Sequence, residues 1–81
     1  MAQKKEFKYL RREKDLIAFG KHLRSLRKER NMSMQELAYQ SNVEYSQISK
    51  IERGKQNPGL SQILTIAEAL EIHPKVLFDF I

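Results

Sequence analysis

Two short helical patterns separated by a turn of three residues lie between Ser33 and Gly54, and this spacing constrains the fold more than any other feature. The first pattern begins at Ser33, whose hydroxyl can accept from backbone N–H groups of the next turn while Glu36 reaches back to the cap. The small Ala38 follows Leu37, which suits a helix that another helix crosses closely. The sequence therefore predicts a helix with a capping box that packs tightly against its successor.

The second pattern has two different faces. Asn42, in the turn before it, tolerates the left-handed backbone conformation, and Ile48 and Ile51 then share one apolar face. The opposite face carries hydrogen-bonding and cationic side chains, namely Tyr45, Ser46, Ser49, Lys50 and Arg53. Gly54 occupies the left-handed position that commonly ends a helix. Together the two patterns predict a helix-turn-helix over about residues 34–54.

Helical patterns also flank this motif on both sides. Apolar residues recur every three or four positions over residues 15–30, which indicates an amphipathic helix. Residues 55–59 form a loop by their Pro and Gly content, and a helical period returns from Leu60 to Leu70. Pro74 suits the first turn of a short final helix. We therefore predict an all-α fold, a compact five-helix domain over residues 14–81 with the helix-turn-helix at its second and third helices.

Positive charge is concentrated at the N-terminal end of the chain. Residues 1–30 hold eleven Lys or Arg against four acidic residues, whereas residues 56–81 hold one Lys against three acidic residues. This asymmetry within a net charge of +5 fits a polyanionic partner. The chain has no cysteine, no apolar run of about 18 residues and no secretory signal, so we expect a cytoplasmic protein without membrane contact.

The motif resembles the phage repressor and Cro type of helix-turn-helix, the XRE family. The resemblance rests on the sequences QELA at 35–38, ISKIERG at 48–54 and NP at 57–58, and it covers roughly residues 16–78. Two positions depart from the usual pattern: Asn42 replaces the commoner Gly, and Glu44 stands where a short N-capping hydroxyl is usual. The resemblance implies a repressor-like domain that binds double-stranded DNA and regulates transcription.

The same resemblance implies which side chains contact DNA, because the third helix of such domains lies in the major groove. The candidates for base contact are Glu44, Tyr45, Ser46, Ser49 and Lys50. Phosphate contacts are expected at the start of the second helix and around the loop after the third, from Ser33, Met34, Gln35, Arg53, Lys55, Gln56 and Asn57. Solvated surface is the alternative for each exposed position. Arg27 and Glu52 match positions that form a structural ion pair in this family.

Residues 1–13 leave two interpretations open. They interleave five Lys or Arg with Phe7, Tyr9 and Leu10. They form either a basic arm that reaches the DNA backbone or minor groove, or a solvated tail or extension of the first helix that packs Phe7 and Leu10 on the domain.

The C-terminal residues carry more apolar surface than a small core easily absorbs. Exposed apolar patches of this kind suit a partner, and we predict a homodimer through Leu77, Phe78, Phe80 and Ile81. A two-fold dimer would present two recognition helices about 34 Å apart to a palindromic operator. The alternative is that Phe80 and Ile81 fold back onto the first helix.

Catalysis finds no support in the residues. His22 and His73 are far apart in sequence, and neither belongs to a grouping with metal-ligand spacing. We therefore predict no catalytic residue, metal, cofactor or small-molecule ligand. A second functional class remains open at this point: an antitoxin-type interaction module that neutralises a toxin and represses its own operon through the same helix-turn-helix.

Overall fold

The computed structural model describes residues 10–81. They form five helices and no strand: α1 (Glu13–Glu29), α2 (Met34–Ser41), α3 (Tyr45–Glu52), α4 (Leu60–Ala69) and α5 (Pro74–Leu77). The predicted all-α domain with its helix-turn-helix at α2 and α3 is confirmed. Within this part of the chain, no helix is long and apolar enough to cross a membrane.

The basic N-terminal segment falls mostly on residues 1–9, which lie outside the described residues. The described part begins at Leu10, and α1 starts only at Glu13. The Leu10 side chain is 78% exposed, so it does not pack on the domain as the helix-extension alternative supposed. Arg11 does contact the domain, because its Nη2 donates to the backbone oxygen of Lys55 at 2.7 Å.

The caps form where the sequence predicts them. The backbone N–H of Glu36 donates to Ser33 Oγ, and the N–H of Ser33 donates to Glu36 Oε1, both at 3.0 Å. Asn42 ends α2 in the left-handed conformation with φ 57°, and Gly54 follows α3 with φ 71°. These local features fix where each helix of the motif begins and ends.

The core draws fully buried side chains from every helix and from the residue after α4. They are Leu23, Leu37, Ile48, Ile51, Ile66, Leu70 and Leu77. Phe19, Leu26, Val43 and Ala67 are buried among them. Helix α3 contributes Ile48 and Ile51 to this core, and the burial of their apolar area keeps the opposite face of α3 outward. Helix propensity of the segment alone would not orient it in this way.

The burial of the C-terminal residues disagrees in part with the prediction that all of them form a dimer surface. Leu77 is fully buried, because α5 turns it into the core, so Leu77 cannot be a surface contact. Phe80 folds back onto α1, where its ring meets that of Phe19 edge to face with centroids 5.5 Å apart. Phe78 and Ile81 stay exposed. Two residues of this candidate surface are therefore accessible, and Phe80 contributes only its partly buried ring.

Candidate nucleic-acid interface

The outward face of α3 consists of side chains that can hydrogen-bond to base edges. Tyr45, Ser46 and Lys50 are exposed, as is Glu44 immediately before the helix, while Ser49 is partly buried. Serine and tyrosine hydroxyls can donate and accept, lysine only donates, and an ionised glutamate only accepts. The structure thus brings the five predicted base contacts onto one helix and the residue that precedes it.

The carboxylate of Glu44 takes no part in the hydrogen bonds that cap α3. It is the N-cap residue of α3, yet its side chain makes no capping hydrogen bond. Its backbone oxygen instead accepts from the N–H groups of Gln47 and Ile48, each at 3.0 Å. The exposed carboxylate is therefore not engaged in a capping hydrogen bond and is available to a ligand.

Arg27 and Glu52 are paired across the interface between α1 and α3. Arg27 Nε donates to Glu52 Oε2 at 2.6 Å, and Arg27 Nη2 donates to Glu52 Oε1 at 2.9 Å. The two side chains are only 8% and 5% exposed. The hydrogen bonds to Glu52 raise the pKa of Arg27 above its ordinary value, against the lowering effect of burial. The guanidinium is therefore charged throughout the pH range in which proteins fold.

The same guanidinium also reaches the segment between α1 and α2. Arg27 Nη1 donates to the backbone oxygen of Met32 at 2.7 Å. One side chain thus connects α1, the entry to α2 and the end of α3. Directional hydrogen bonds of one buried side chain therefore tie the recognition helix to both of its neighbours.

A shallow depression of about 180 Å³ lies beside the start of α2. Its lining includes Met34 at the start of α2, Ser49 and Arg53 of the recognition helix, and Arg24 of α1. Backbone N–H groups in the first turn of a helix lack intrahelical partners and favour anions. Ser33, however, is already engaged by the capping box, so its own N–H is not available.

Arg24 was absent from the predicted phosphate contacts, although it is exposed at the rim of this depression. The sequence held a signal for it, because Arg24 precedes Arg27 by three positions and therefore lies on the same face of α1. Gln35 is also exposed nearby along α2, and Met34 is partly buried against the core.

The loop after α3 holds the remaining predicted phosphate contacts. Lys55 and Asn57 are exposed, and the exposed Arg53 donates from Nε to the backbone oxygen of Ser49 at 3.3 Å. Gln56 is partly buried and donates from Nε2 to Gln62 Oε1 at 3.4 Å. Cationic side chains of the predicted set thus lie at the end of α3 and in the loop directly after it.

The two histidines are engaged within the fold. His22 Nε2 donates to the backbone oxygen of Val76 at 2.7 Å. His73 Nδ1 accepts from the backbone N–H of Lys75 at 3.1 Å and caps α5. Across residues 10–81, no group of three or more acidic or histidine side chains is placed to hold a metal ion.

Two packed helices joined by a three-residue turn, the second with its polar side outward, form the arrangement found in helix-turn-helix DNA-binding domains. The helix-turn-helix family model matches residues 23–77. Control protein C.BamHI from Bacillus amyloliquefaciens is 40% identical over 65 residues, which are 79% of this chain and 80% of that protein. Several relatives named as helix-turn-helix transcriptional regulators or repressors are longer, and the chain spans less than half of their length.

Solved structures of related proteins share the fold. The restriction-modification controller protein C.AhdI from Aeromonas hydrophila is 42% identical with a TM-score of 0.79, over 80% of this chain and 98% of that one. The controller protein C.Esp1396I, solved as a tetramer in complex with its natural 35 base-pair operator, is 31% identical with a TM-score of 0.73, over 79% of this chain and 84% of that one. The chain belongs to the helix-turn-helix family of transcriptional regulators, of the phage repressor and Cro type called XRE.

Proposed function

We propose that the chain binds a specific, roughly palindromic DNA operator as a homodimer and regulates transcription by occupying it. The observation that carries this proposal is the polar face of α3, which stays outward because Ile48 and Ile51 are fully buried behind it. In this proposal Lys50 donates to guanine O6 and N7, Glu44 accepts from cytosine N4, and Ser46 and Tyr45 pair with neighbouring bases or phosphates. Phosphate contacts come from the start of α2, the loop after α3 and Arg24.

The basic N-terminal segment ends beside the proposed phosphate contacts, which suits it to bind DNA as well. The hydrogen bond from Arg11 to Lys55 joins the segment to the loop that carries proposed phosphate contacts. We therefore extend the proposal to residues 1–13 as an arm that adds electrostatic affinity for DNA.

Selection of binding sites from a random duplex library tests the central proposal. Selection at about 150 mM salt suppresses purely electrostatic binding. The expected result is a two-fold symmetric motif with half-sites about 10 base pairs apart. Recovery of unrelated sequences would contradict specific DNA binding by this chain.

Lys50→Ala should weaken binding to the selected operator about 5- to 150-fold, because a base contact of this kind is worth about 1–3 kcal/mol. The loss should be confined to operators that keep the preferred base pair opposite Lys50. Lys75→Ala removes the same charge from an exposed position on α5 and serves as the matched control. Fluorescence anisotropy with a panel of single base-pair variants measures both effects, and equal losses for the two variants would remove Lys50 from the base contacts.

The dimer surface that we propose includes residues outside the predicted C-terminal set. Phe78 and Ile63 line an apolar groove of about 130 Å³ together with Phe19 and Pro58. Leu60 and Leu64 are exposed on α4, the helix that contributes Ile63 to this groove, and they add apolar surface to it. We define the dimer surface as Leu60, Leu64, Phe78 and Ile81.

The double substitution Leu60→Ser with Leu64→Ser should weaken self-association about 100-fold or more, because each leucine loses burial worth about 1.5–3 kcal/mol. Sedimentation equilibrium without DNA measures the change in dissociation constant. Tyr39→Ser removes an exposed apolar ring from α2 and should leave the dissociation constant unchanged. A double variant that dimerises like the unmodified chain would place the interface elsewhere.

C.AhdI and C.Esp1396I are restriction-modification controller proteins, and C.BamHI is a control protein, which favours one regulatory setting. We propose that the chain controls genes of a restriction-modification system, because its match extends over 98% of C.AhdI. The selected operator should then lie upstream of genes for a restriction endonuclease or its methyltransferase. The toxin-neutralising alternative gains no support from these relatives, and we do not propose it.

A further inference from the structure

Hydrogen bonds between glutamine side chains join α3 to α4 and to the loop between them. Nε2 of Gln62, in the first turn of α4, donates to Oε1 of Gln47 at 2.9 Å. Oε1 of Gln62 accepts from the backbone N–H of Gly59 at 3.2 Å and from Nε2 of Gln56 at 3.4 Å. Neither Gln47 nor Gln62 was among the residues that the sequence assigned to DNA contact.

The backbone N–H of Gly59 sets the direction of these hydrogen bonds. A backbone N–H can only donate, so Gln62 must turn its side-chain oxygen toward Gly59 and its NH2 group toward Gln47. Gln47 must then turn its own oxygen toward Gln62, because one end of a carboxamide accepts and the other donates. The NH2 group of Gln47 is left on the side away from Gln62, without an acceptor among the described residues.

Gln47 lies at the edge of the recognition surface. It is the third residue of α3, is partly buried, and precedes Lys50 by three positions. Residues three apart are neighbours on a helix surface. An NH2 group turned away from α4 is therefore close to the side chains that we assign to base contacts.

We propose that Gln62 is a positioning residue for DNA recognition, which presets Gln47 to donate a hydrogen bond to an acceptor on the DNA, either a phosphate oxygen or an acceptor on a base edge. This inference rests on the DNA-binding function proposed above. An unrestrained glutamine can offer its oxygen or its NH2 group by a half-turn of the amide. A glutamine whose amide orientation is preset offers only its NH2 group, so it rejects a DNA donor such as the cytosine amino group. Its side chain is also already ordered before binding.

Gln62→Glu tests the direction of the amide. One carboxylate oxygen can still accept from Gly59 and the other can accept from Gln47, but only after the Gln47 amide turns around and directs its oxygen toward the DNA. We expect the melting temperature to stay within about 3 °C of the unmodified chain, because the hydrogen bonds are replaced rather than lost. Ser61→Glu adds the same charge at the neighbouring exposed position and is the matched control.

Gln62→Glu should weaken operator binding about tenfold more than Ser61→Glu, since a favourable contact becomes a repulsive one. In a Gln47→Ala background, the two glutamate substitutions should weaken binding equally. An excess loss that persists without the Gln47 side chain would overturn the proposal, as would equal losses in the unmodified background. Should Gln62→Glu not fold, Gln62→Ala replaces it, with an expected loss of about threefold that also disappears with Gln47→Ala.

Operator variants identify the acceptor. If Gln47 donates to a base, Gln47→Ala should abolish discrimination at one base pair of each half-site. If it donates to a phosphate, Gln47→Ala should weaken all operator variants equally, and a methylphosphonate at one position should reproduce that loss. Specific selection by the unmodified chain without coupling between Gln62 and Gln47 would refute this inference alone. Failure to select any motif would refute the proposed function and this inference with it.

Discussion

Gly20→Ala should destabilise the protein by about 3 kcal/mol, which corresponds to a fall in melting temperature of about 12–24 °C for a domain of this size. A Cβ at position 20 would lie 2.5 Å from the backbone oxygen of Glu52 and would also collide with the backbone oxygen of Ile51. Both atoms belong to the backbone at the end of α3, so no side-chain rotation can relieve the overlap. The recognition helix would have to move away from α1.

The sign of this effect is opposite to the usual one inside a helix. Gly20 lies within α1, where alanine is normally favoured over glycine by about 1 kcal/mol. Gly59→Ala is the control, because a Cβ there meets no atom within 4 Å and the residue has a negative φ of −77°. It should shift stability by less than about 1 kcal/mol. Thermal unfolding followed by circular dichroism compares the variants, and a Gly20→Ala protein as stable as the unmodified chain would contradict the close approach of α1 and α3.

The features that the sequence predicts well are those determined within one or two turns of the chain. The capping box of Ser33 and Glu36 involves residues three apart, and the left-handed Asn42 and Gly54 depend on their own backbone preferences. The two faces of α3 follow from helical period and apolar spacing. For these reasons the helix-turn-helix and its outward residues could be located without a structure.

The features that the sequence did not predict depend on contacts between distant segments. Leu77 and Ile81 are both apolar, yet one is fully buried and the other is fully exposed. Helix α5 has only four residues, so its pattern is too short to indicate which face is buried. Gln47 and Gln62 are 15 positions apart and carry no local signal of their pairing.

The pairing of Arg27 with Glu52, 25 positions apart, was expected only from the family resemblance. Gly20 is an intermediate case. A glycine in an otherwise regular amphipathic pattern indicates that another backbone comes close, but the sequence does not identify that backbone as the end of α3. The orientation of the recognition helix is therefore the least predictable property of the candidate site, since it depends on both of these contacts.

Arg27→Met or Glu52→Leu alone should destabilise the protein by about 3–5 kcal/mol, because either change leaves one buried charge without its partner. The double variant should be more stable than either single variant, since it replaces the pair with apolar groups of similar volume. Chemical denaturation of the four proteins gives the coupling energy directly. A coupling energy near zero would mean that the buried pair makes no net interaction.

Operator binding by the double variant distinguishes an effect on the orientation of α3 from an effect on the free energy of unfolding. An apolar pair cannot reproduce the two parallel hydrogen bonds from Arg27 to Glu52 or the third to Met32. Apolar contacts have no such directional requirement. We therefore expect the double variant to fold but to bind the operator about tenfold more weakly. A shift of α3 relative to α2 would misplace base contacts and phosphate contacts together, and each contact is worth about 1 kcal/mol or more. A double variant with unchanged operator affinity would show that core packing alone orients the recognition helix, and that the buried charges contribute nothing to DNA recognition.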